Sequence, residues 1–343
     1  MHMSDALLSP VTGGTFWALS GSLIAWSARK TAREQDGRKT ALMGVLGAFV
    51  FAAQMINFTI PGTGSSGHLG GGLLLTVLLG PYRAFLALAS VLVIQCLFFA
   101  DGGLLALGCN IFNLVFFPAF IAFPLLFRTI AGDSLSPGRI GAASMIAAPA
   151  GLLMGAFSVV LQTTLSGISE LPFGTFMLFM LPIHLAIGIV EGALTWTILA
   201  FVARTEPSLL SSETGQDSHR SIIPAAFVFA ALITGGVVSW FASPSPDGLE
   251  WSMQKTSGIA EPGDRNEPVH NTLAAVQKRL AFLPDYGFRE TGARAQQTPV
   301  SDTPVNPGTT VSGITGSLLV LLVAGTAGMM LGTRTKKTEP SGE

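Results

Sequence analysis

Charged side chains are scarce in this chain of 343 residues, since Asp, Glu, Lys and Arg make up 11% of it. A soluble domain carries about 25% charged residues, so the deficit excludes an ordinary soluble protein. The net charge of −1 provides no basic surface for a polyanion and excludes a nucleic-acid partner. Cysteine is rare too: Cys96 and Cys109 lie in apolar runs without CxxC spacing and are interpreted as small hydrophobic residues.

A basic segment is missing from the first residues, MHMSDALLSP, where a cleavable signal peptide would carry one. The first cationic residue, Arg29, comes after the first apolar run. We therefore expect that run to stay in the membrane and Met1 to be retained as the N-terminal residue.

Long apolar runs are what the sequence has in excess: hydrophobic residues form 49% of it, and the mean hydropathy is +0.55. A helix that crosses a bilayer needs about 20 apolar residues. The runs predict an all-α, polytopic membrane helical bundle of about nine transmembrane helices, located in the cell inner (plasma) membrane. The predicted spans are residues 12–28, 41–60, 69–79, 84–100, 104–127, 140–165, 173–202, 222–240 and 313–332.

Basic residues lie in alternate loops of these spans, which indicates that those loops face the cytoplasm. The loop after the first span is the richest, with Arg29, Lys30, Arg33, Arg38 and Lys39. This pattern predicts an N-terminus outside the cell and a C-terminus in the cytoplasm.

Two polar stretches divide the chain. Residues 205–221 predict a cytoplasmic linker between a seven-helix unit, residues 1–204, and a two-helix unit, residues 222–343. Residues 243–312 are rich in Pro, Thr, Gln and charge, and they predict a partly ordered external loop of the second unit.

Three nitrogen donors follow one another at the start of the chain: the α-amine of Met1, the amide of His2 and the imidazole Nδ1 of His2. The first two close a five-membered chelate ring around a metal, and the last two close a six-membered ring. Square-planar nitrogen coordination favours Ni(II) or Cu(II), whereas Zn(II) prefers a tetrahedron. The pattern predicts a divalent transition-metal site that releases protons when it fills.

The fourth nitrogen is expected from His68, in the loop GSSGHLGGG, which the predicted topology places on the same side as the N-terminus. Glycines remove side-chain bulk and permit positive φ, so the backbone of this loop can pack closely around a buried site. The alternative is that both histidines simply lie at the membrane interface.

Further polar residues are candidates for orienting these imidazoles through hydrogen bonds. They are Asp5, Asn57, Asn110, Asn113, His184 and Glu191. Asn110 and Asn113 lie three residues apart on one helix face, where ordinary hydrogen bonding between helices is the alternative. His184 and Glu191 lie seven residues apart on one face, and the sequence leaves open a polar relay or a structural pair.

Four motifs, MHMSDALLSP, GSSGHLGGG, ALGCNIFN and HLAIGIVEG, resemble the substrate-capture subunit of cobalt and nickel energy-coupling-factor (ECF) transporters, the CbiM/NikM type. The motif PDGLEWS, between the last two spans, resembles the small companion subunit, CbiN/NikN. The resemblance covers the spans of the whole chain and implies a fused, NikMN-like protein.

The resemblance implies that Met1, His2 and His68 hold transported Ni(II) or Co(II), with no permanent cofactor. It also implies two kinds of partner, a transmembrane coupling protein and cytoplasmic ATP-binding-cassette ATPases that hydrolyse the ATP. The chain has no GxxxxGK(S/T) phosphate loop, in agreement with a protein that is not an enzyme. The start MHMSDALLSP departs from the MHIPDGFLSP more usual in the cobalt type, which favours nickel and leaves cobalt as the alternative.

Two other functions remain open from the sequence. The GSSG of residues 64–67 matches the GxSG of rhomboid-like intramembrane serine proteases, with His184 as the base that such a serine needs. A carrier for another small solute, or a passive channel, would share the apolar spans. Neither alternative explains His2 beside Met1 or the PDGLEWS motif.

Overall fold

The computed structural model describes residues 2–34, 36–132, 136–210, 222–260, 263, 267–289 and 306–333. Helices form nearly all of its regular structure. They are α1 (Pro10–Glu34), α2 (Gly37–Gln54), α3 (Gly72–Leu79), α4 (Pro81–Phe99), α5 (Leu107–Ile111), a π-helical segment (Phe112–Phe127), α6 (Arg128–Ala131), α7 (Pro137–Ser166), α8 (Phe173–Thr205), α9 (Ile223–Gly236), α10 (Gly248–Ser257), α11 (Pro268–Leu280) and α12 (Pro307–Thr333). Short 3₁₀ turns lie at Asp5–Leu7, Pro207–Leu209, Val238–Phe241 and Pro284–Tyr286, and one antiparallel hairpin pairs β1 (Phe58–Ile60) with β2 (Ser65–Gly67).

The all-α membrane bundle is confirmed. Within the described residues, five helices are long and apolar enough to cross a bilayer: α4, the continuous Leu107–Ala131 helix, α7, α8 and the Pro307–Gly332 part of α12. Helical segments also occupy the other four predicted places, although α3 has only eight residues and α9 has 14. The number of crossings and the orientation of the termini stay predictions.

The second predicted span is wrong at its C-terminal end. Helix α2 ends at Gln54, and the chain enters β1 at Phe58 instead of remaining helical to residue 60. Pro61 disfavours helical backbone at the residue before it, and β1 finds its backbone partners in β2, where Phe58 lies opposite Gly67. Apolar composition alone does not distinguish such a strand from the last turn of a helix.

The stretch predicted as a partly ordered external loop contains α10 and α11, and its residues 290–305 lie outside the described part of the chain. A capping box begins α10 within the PDGLE motif. The Asp247 carboxylate accepts the N–H groups of Leu249 and Glu250, each at 2.8 Å, and the Glu250 carboxylate accepts the Asp247 N–H at 3.2 Å. The motif is therefore a helix start, in which two side chains satisfy backbone donors that a helix leaves open.

Glycines allow α7 and α8 to approach closely. A Cβ at Gly188 would lie 2.6 Å from the Cα of Pro149, and a Cβ at Gly192 would lie 3.0 Å from the Ser144 carbonyl oxygen. Small residues at such a seam let helix backbones pack directly against each other. Glu191 lies between the two glycines and is buried, so this packing carries its carboxylate into the bundle.

A second glycine seam joins α2 to α12. A Cβ at Gly44 would lie 2.6 Å from the Leu321 carbonyl oxygen, and one at Gly328 would lie 2.5 Å from the Thr40 carbonyl oxygen. The Ser317 hydroxyl donates to the Ala48 carbonyl oxygen across the same seam. Helix α12 is thereby packed along α2.

Candidate metal centre

The segment before α1 enters the protein, and Met3 is fully buried. Its backbone is held from two sides: the Met3 N–H donates to Asn110 Oδ1 at 2.8 Å, while the Met3 carbonyl accepts Asn110 Nδ2 at 3.2 Å and the Gly103 N–H at 2.9 Å. These bonds fix the backbone next to His2. Asn110 thus orients the N-terminal segment through its backbone, not through an imidazole.

Asp5 anchors the same segment a little further along. Its Oδ1 accepts the Ala106 N–H at 2.9 Å, and its carboxyl group fills the space where a Cβ on Gly103 would collide with it. Burial raises the pKa of the Asp5 carboxyl, and the bond from Ala106 opposes that rise. Like Asn110, Asp5 positions the chain that carries His2.

The rings of His2 and His68 lie side by side. Their centroids are 5.2 Å apart and their planes differ by 11°. His2 Nδ1 lies 3.2 Å from Asp101 Oδ1, and burial lowers the pKa of His2. Since a carboxylate only accepts hydrogen bonds, the Nδ1 of a neutral His2 carries the hydrogen in this arrangement.

His68 follows β2 in a loop that is held by a carboxylate. The N–H groups of Gly70 and Gly71 donate to the two oxygens of Glu191, at 2.9 and 3.1 Å. His68 Nδ1 donates to the Leu69 carbonyl at 3.1 Å, so its Nε2 keeps a lone pair for a metal. Burial lowers the pKa of His68 to about 4, and the ring is neutral at neutral pH.

The other helix-borne candidates have different partners. Glu191 binds the loop of His68, as described, while His184 Nδ1 donates to the Met180 carbonyl at 2.8 Å. The two therefore serve separate backbone groups, whereas the sequence suggested a relay or a pair. Asn113 exchanges two hydrogen bonds with Gln162, of 2.7 and 2.8 Å, and so bridges the π-helical segment and α7.

A cavity of about 720 Å³ opens beside the two imidazoles. Among the described residues that line it, five are acidic and none is a lysine or an arginine. Such a lining attracts cations. The residues that bear on the site are His2, His68, Asp5, Asn57, Asp101, Asp247, Glu250 and Asp285.

The start of α10 and the residues just before it cover the hairpin that precedes His68. The Ser66 hydroxyl donates to the Ser245 carbonyl at 2.7 Å, and Trp251 Nε1 donates to the Thr63 carbonyl at 3.0 Å. Ser66, the serine of the protease alternative, thus donates to a backbone carbonyl and not to His184.

A second contact from the C-terminal part of the chain reaches Asp101. The Tyr286 hydroxyl donates to Asp101 Oδ2 at 2.6 Å, and Gln277 Nε2 donates to the neighbouring Gly102 carbonyl at 2.7 Å. Tyr286 and His2 are therefore connected through the Asp101 carboxylate, whose two oxygens each contact one of them.

Three site residues were missed by the sequence interpretation: Gln54, Gln95 and Asp101. Gln54 Nε2 donates to the Gly70 carbonyl at 2.9 Å, and Gln95 Nε2 donates to Gln54 Oε1 at 2.9 Å. A signal for the glutamines was present, because an amide inside an apolar helix needs an internal partner. Asp101 follows Ala100, the residue that caps the C-terminal end of α4.

Met1 lies outside the described residues. Within the part of the chain that the structure describes, no group of three or more His, Cys, Asp or Glu side chains is arranged to hold a metal ion. The centre predicted from the sequence would not form such a group, because two of its four nitrogens belong to the backbone.

Comparison with known proteins gives consistent matches. Residues 2–209 match the family model described as cobalt uptake substrate-specific transmembrane region, CbiM, and residues 222–333 match the PDGLE domain. A protein of Archaeoglobus fulgidus, assigned the name fused nickel transport protein NikMN, is 31% identical over 325 residues, covering 94% of this chain and 96% of that protein. The cobalt transport protein CbiM of Sorangium cellulosum is 30% identical over 216 residues, covering 61% of this chain and 94% of that protein.

A solved structure supports the same relationship. The crystal structure of a transition metal transporter matches with a TM-score of 0.53 and 27% identity, covering 60% of this chain and 93% of that one. The family model spans more than half of the chain, and the archaeal relative spans nearly all of it. The resemblance drawn from the sequence is confirmed: the chain belongs to the CbiM family of cobalt uptake substrate-specific transmembrane proteins and carries a PDGLE domain in its C-terminal part.

Proposed function

We propose that this chain is the metal-binding membrane component of an importer for Ni(II). The observation that carries the proposal is the pair of half-buried, parallel imidazoles, His2 and His68, beside a cavity with an acidic lining. Burial keeps both rings neutral, as a metal ligand must be. Membership of a family of metal transport proteins supports the same function.

The proposed ligand set is the α-amine of Met1, the amide nitrogen and Nδ1 of His2, and Nε2 of His68. Four nitrogens in a plane suit Ni(II) better than Zn(II). His2 Nδ1 faces Asp101 in the structure, so loading requires the ion to replace Asp101 as the partner of Nδ1. The Nε2 of His68 is already directed by the bond from its Nδ1 to Leu69.

The importer that we propose is of the energy-coupling-factor type. Its transmembrane coupling protein and cytoplasmic ATP-binding-cassette ATPases would hydrolyse ATP, while this chain captures the ion at the outer face of the plasma membrane. Residues 1–204 would form the capture unit, residues 205–221 a cytoplasmic linker, and residues 222–343 a companion unit. The acidic cavity would lead the hydrated cation to the imidazoles.

Co(II) is the second candidate substrate, because it accepts the same donors. The relatives include a protein named for nickel transport and one named for cobalt transport. Growth of cells with both ions at equal concentration, followed by metal analysis of the purified protein, decides between them. We expect nickel in excess, and a predominance of cobalt would reverse the assignment.

The chelate itself is tested by moving the amine. One residue added before Met1 shifts the amine out of chelate geometry but leaves both histidines in place. In cells that carry the partner subunits, we expect uptake of radiolabelled nickel to fall to the level of a His2→Ala variant. The matched control adds the same residue after Glu343, where uptake should be normal, and normal uptake by the N-terminally extended protein would refute the chelate.

A further inference from the structure

Two buried polar atoms at the metal centre have no hydrogen-bond partner within the described residues: Nε2 of His2 and Oε1 of Gln95. Buried polar atoms without partners are uncommon in folded proteins, and each one has an energetic cost. Two of them at one site call for an explanation that the ligand set alone does not provide.

The turn of the backbone at the end of α4 brings Gln95 close to His2. Ala100 adopts a left-handed conformation, with φ of 57°, at the end of α4, and the chain turns back there. The Asp101 N–H consequently donates to the Gln95 carbonyl at 3.1 Å. Asp101 in turn holds His2 Nδ1, and the Gln95 side chain lies within hydrogen-bonding reach of the His2 imidazole.

Hydrogen bonding explains why neither atom is satisfied. The Asp101 carboxylate keeps the hydrogen of the neutral imidazole on Nδ1, so Nε2 offers only a lone pair. The Gln95 amide donates an N–H to Gln54 Oε1. The remaining polar atom of Gln95, its Oε1, can only accept a hydrogen bond. Two acceptors cannot form a hydrogen bond with each other, so both Nε2 of His2 and Oε1 of Gln95 lack a partner.

We propose that Gln95 is the hydrogen-bond partner of His2 when an ion occupies Nδ1. An ion on Nδ1 takes the place of the hydrogen there, and a neutral imidazole then carries its hydrogen on Nε2. That Nε2–H donates to Gln95 Oε1, so both atoms become satisfied together. The ring gains no net charge, because one hydrogen leaves Nδ1 and one is held at Nε2.

Gln95 is thus a positioning residue, and the inference rests on the chelate of the proposed function. The same network reaches the other imidazole: Gln54, which holds Gln95, also donates to the Gly70 carbonyl in the loop of His68. One chain of amides therefore links the partner of His2 to the backbone beside His68.

The test compares two substitutions that break the same amide–amide bond. Gln95→Met removes the acceptor Oε1, whereas Gln95→Glu removes the N–H that donates to Gln54 but keeps an acceptor oxygen for His2. Calorimetric titration of the purified full chain with NiCl₂ should show binding at least about 10-fold weaker for Gln95→Met, the usual cost of losing a residue that orients a metal ligand. Gln95→Glu should stay within about 3-fold of the wild type, since an acceptor remains.

A spectroscopic readout separates this role from general stability. Square-planar Ni(II) is diamagnetic, so the Nε2–H of His2 can be followed by NMR in protein labelled with ¹⁵N-histidine. We expect a slowly exchanging Nε2–H signal on nickel addition to the wild type and to Gln95→Glu, but not to Gln95→Met. Equal affinities for wild type and Gln95→Met, or equal losses in both variants, would overturn the role of Gln95. If the wild type itself bound no nickel, the proposed chelate would fail independently of Gln95.

Discussion

At the scale of single residues, most polar side chains around the two imidazoles act on backbone. Glu191 binds two N–H groups of the loop that carries His68, and Asn110 binds the backbone of Met3. A ligand loop rich in glycine has little intrinsic rigidity, so its position depends on such bonds. The proposed metal centre is therefore shaped by residues that need not contact the ion.

Substitution of Glu191 by Gln should weaken nickel binding by about 10-fold. The amide presents one N–H₂ where the carboxylate had an acceptor, so it repels the N–H of Gly70 or Gly71 and displaces the loop. Calorimetric titration of the purified protein with NiCl₂ measures the change. Glu170→Gln, at an exposed position, is the matched control and should bind as the wild type; equal affinity of the Glu191 variant would contradict this role.

Asp5 should make the stability of the protein depend on pH. Burial raises its folded pKa, so the folded state binds more protons than the unfolded state between the two pKa values. The stability contributed by Asp5 is therefore lost as the pH rises from the unfolded value, about 3.9, through the folded value. Melting temperatures measured with a chelator present should fall more steeply over this window for the wild type than for Asp5→Asn, and parallel profiles would contradict the prediction.

The sequence predicted that His2 and His68 lie together, as they do, but not the contacts of their neighbours. His2 and His68 could be paired because the chelate pattern and the glycine loop each point to the same chemistry. Spacing along a helix shows which side chains share a face, as for His184 and Glu191, but not which loop they meet across the bundle. Gln95 was missed because its importance follows from the turn at Ala100.

At the scale of elements, apolar runs predicted the positions of the helices but not their internal geometry. The segment Phe112–Phe127 is π-helical and contains Pro118 and Pro124, which remove hydrogen-bond donors from any regular helix. Its wider turn places Pro118 against Gly72, the first residue of α3, where a Cβ would lie 2.9 Å from Pro118 Cγ. A count of apolar residues carries no information about such a widened helix.

The seam between α2 and α12 should not tolerate a larger residue. Gly44→Val introduces atoms where the Leu321 carbonyl already lies, and overpacking of this kind typically costs about 1–3 kcal/mol. We expect a lower melting temperature, measured by thermal unfolding in detergent. Gly21→Val in α1 is the control, because a Cβ there has no atom within 4 Å, and an equal loss in both variants would show that the seam is not responsible.

At the scale of the whole molecule, the C-terminal part covers the centre that the N-terminal part builds. The contacts come from the Ser245 carbonyl, from Trp251 and from Tyr286, all on the region that matches the PDGLE domain. This arrangement was not predictable from the sequence, because two of these three bonds use backbone carbonyl groups, which leave no trace in residue type.

Loss of one such contact should speed metal exchange. Trp251→Ala removes the bond to the Thr63 carbonyl and the edge-to-face contact with Phe179, whose centroid lies 5.8 Å away. We expect bound nickel to leave about 5-fold faster, the effect of roughly one hydrogen bond, when excess EDTA is added. Trp196→Ala is the control, since Trp196 Nε1 donates to Pro137 elsewhere in the bundle; an unchanged rate in the Trp251 variant would mean that the cover does not limit release.

The presence of the cover and the proposed centre in one chain has a consequence for how many centres are covered. Because cover and centre belong to one polypeptide, the local concentration of the cover depends on chain geometry and not on how many molecules a cell makes. A separate cover would dissociate from its partner when both are rare in the membrane. In this protein every molecule carries its own cover, so the ratio of cover to centre stays one to one at any concentration.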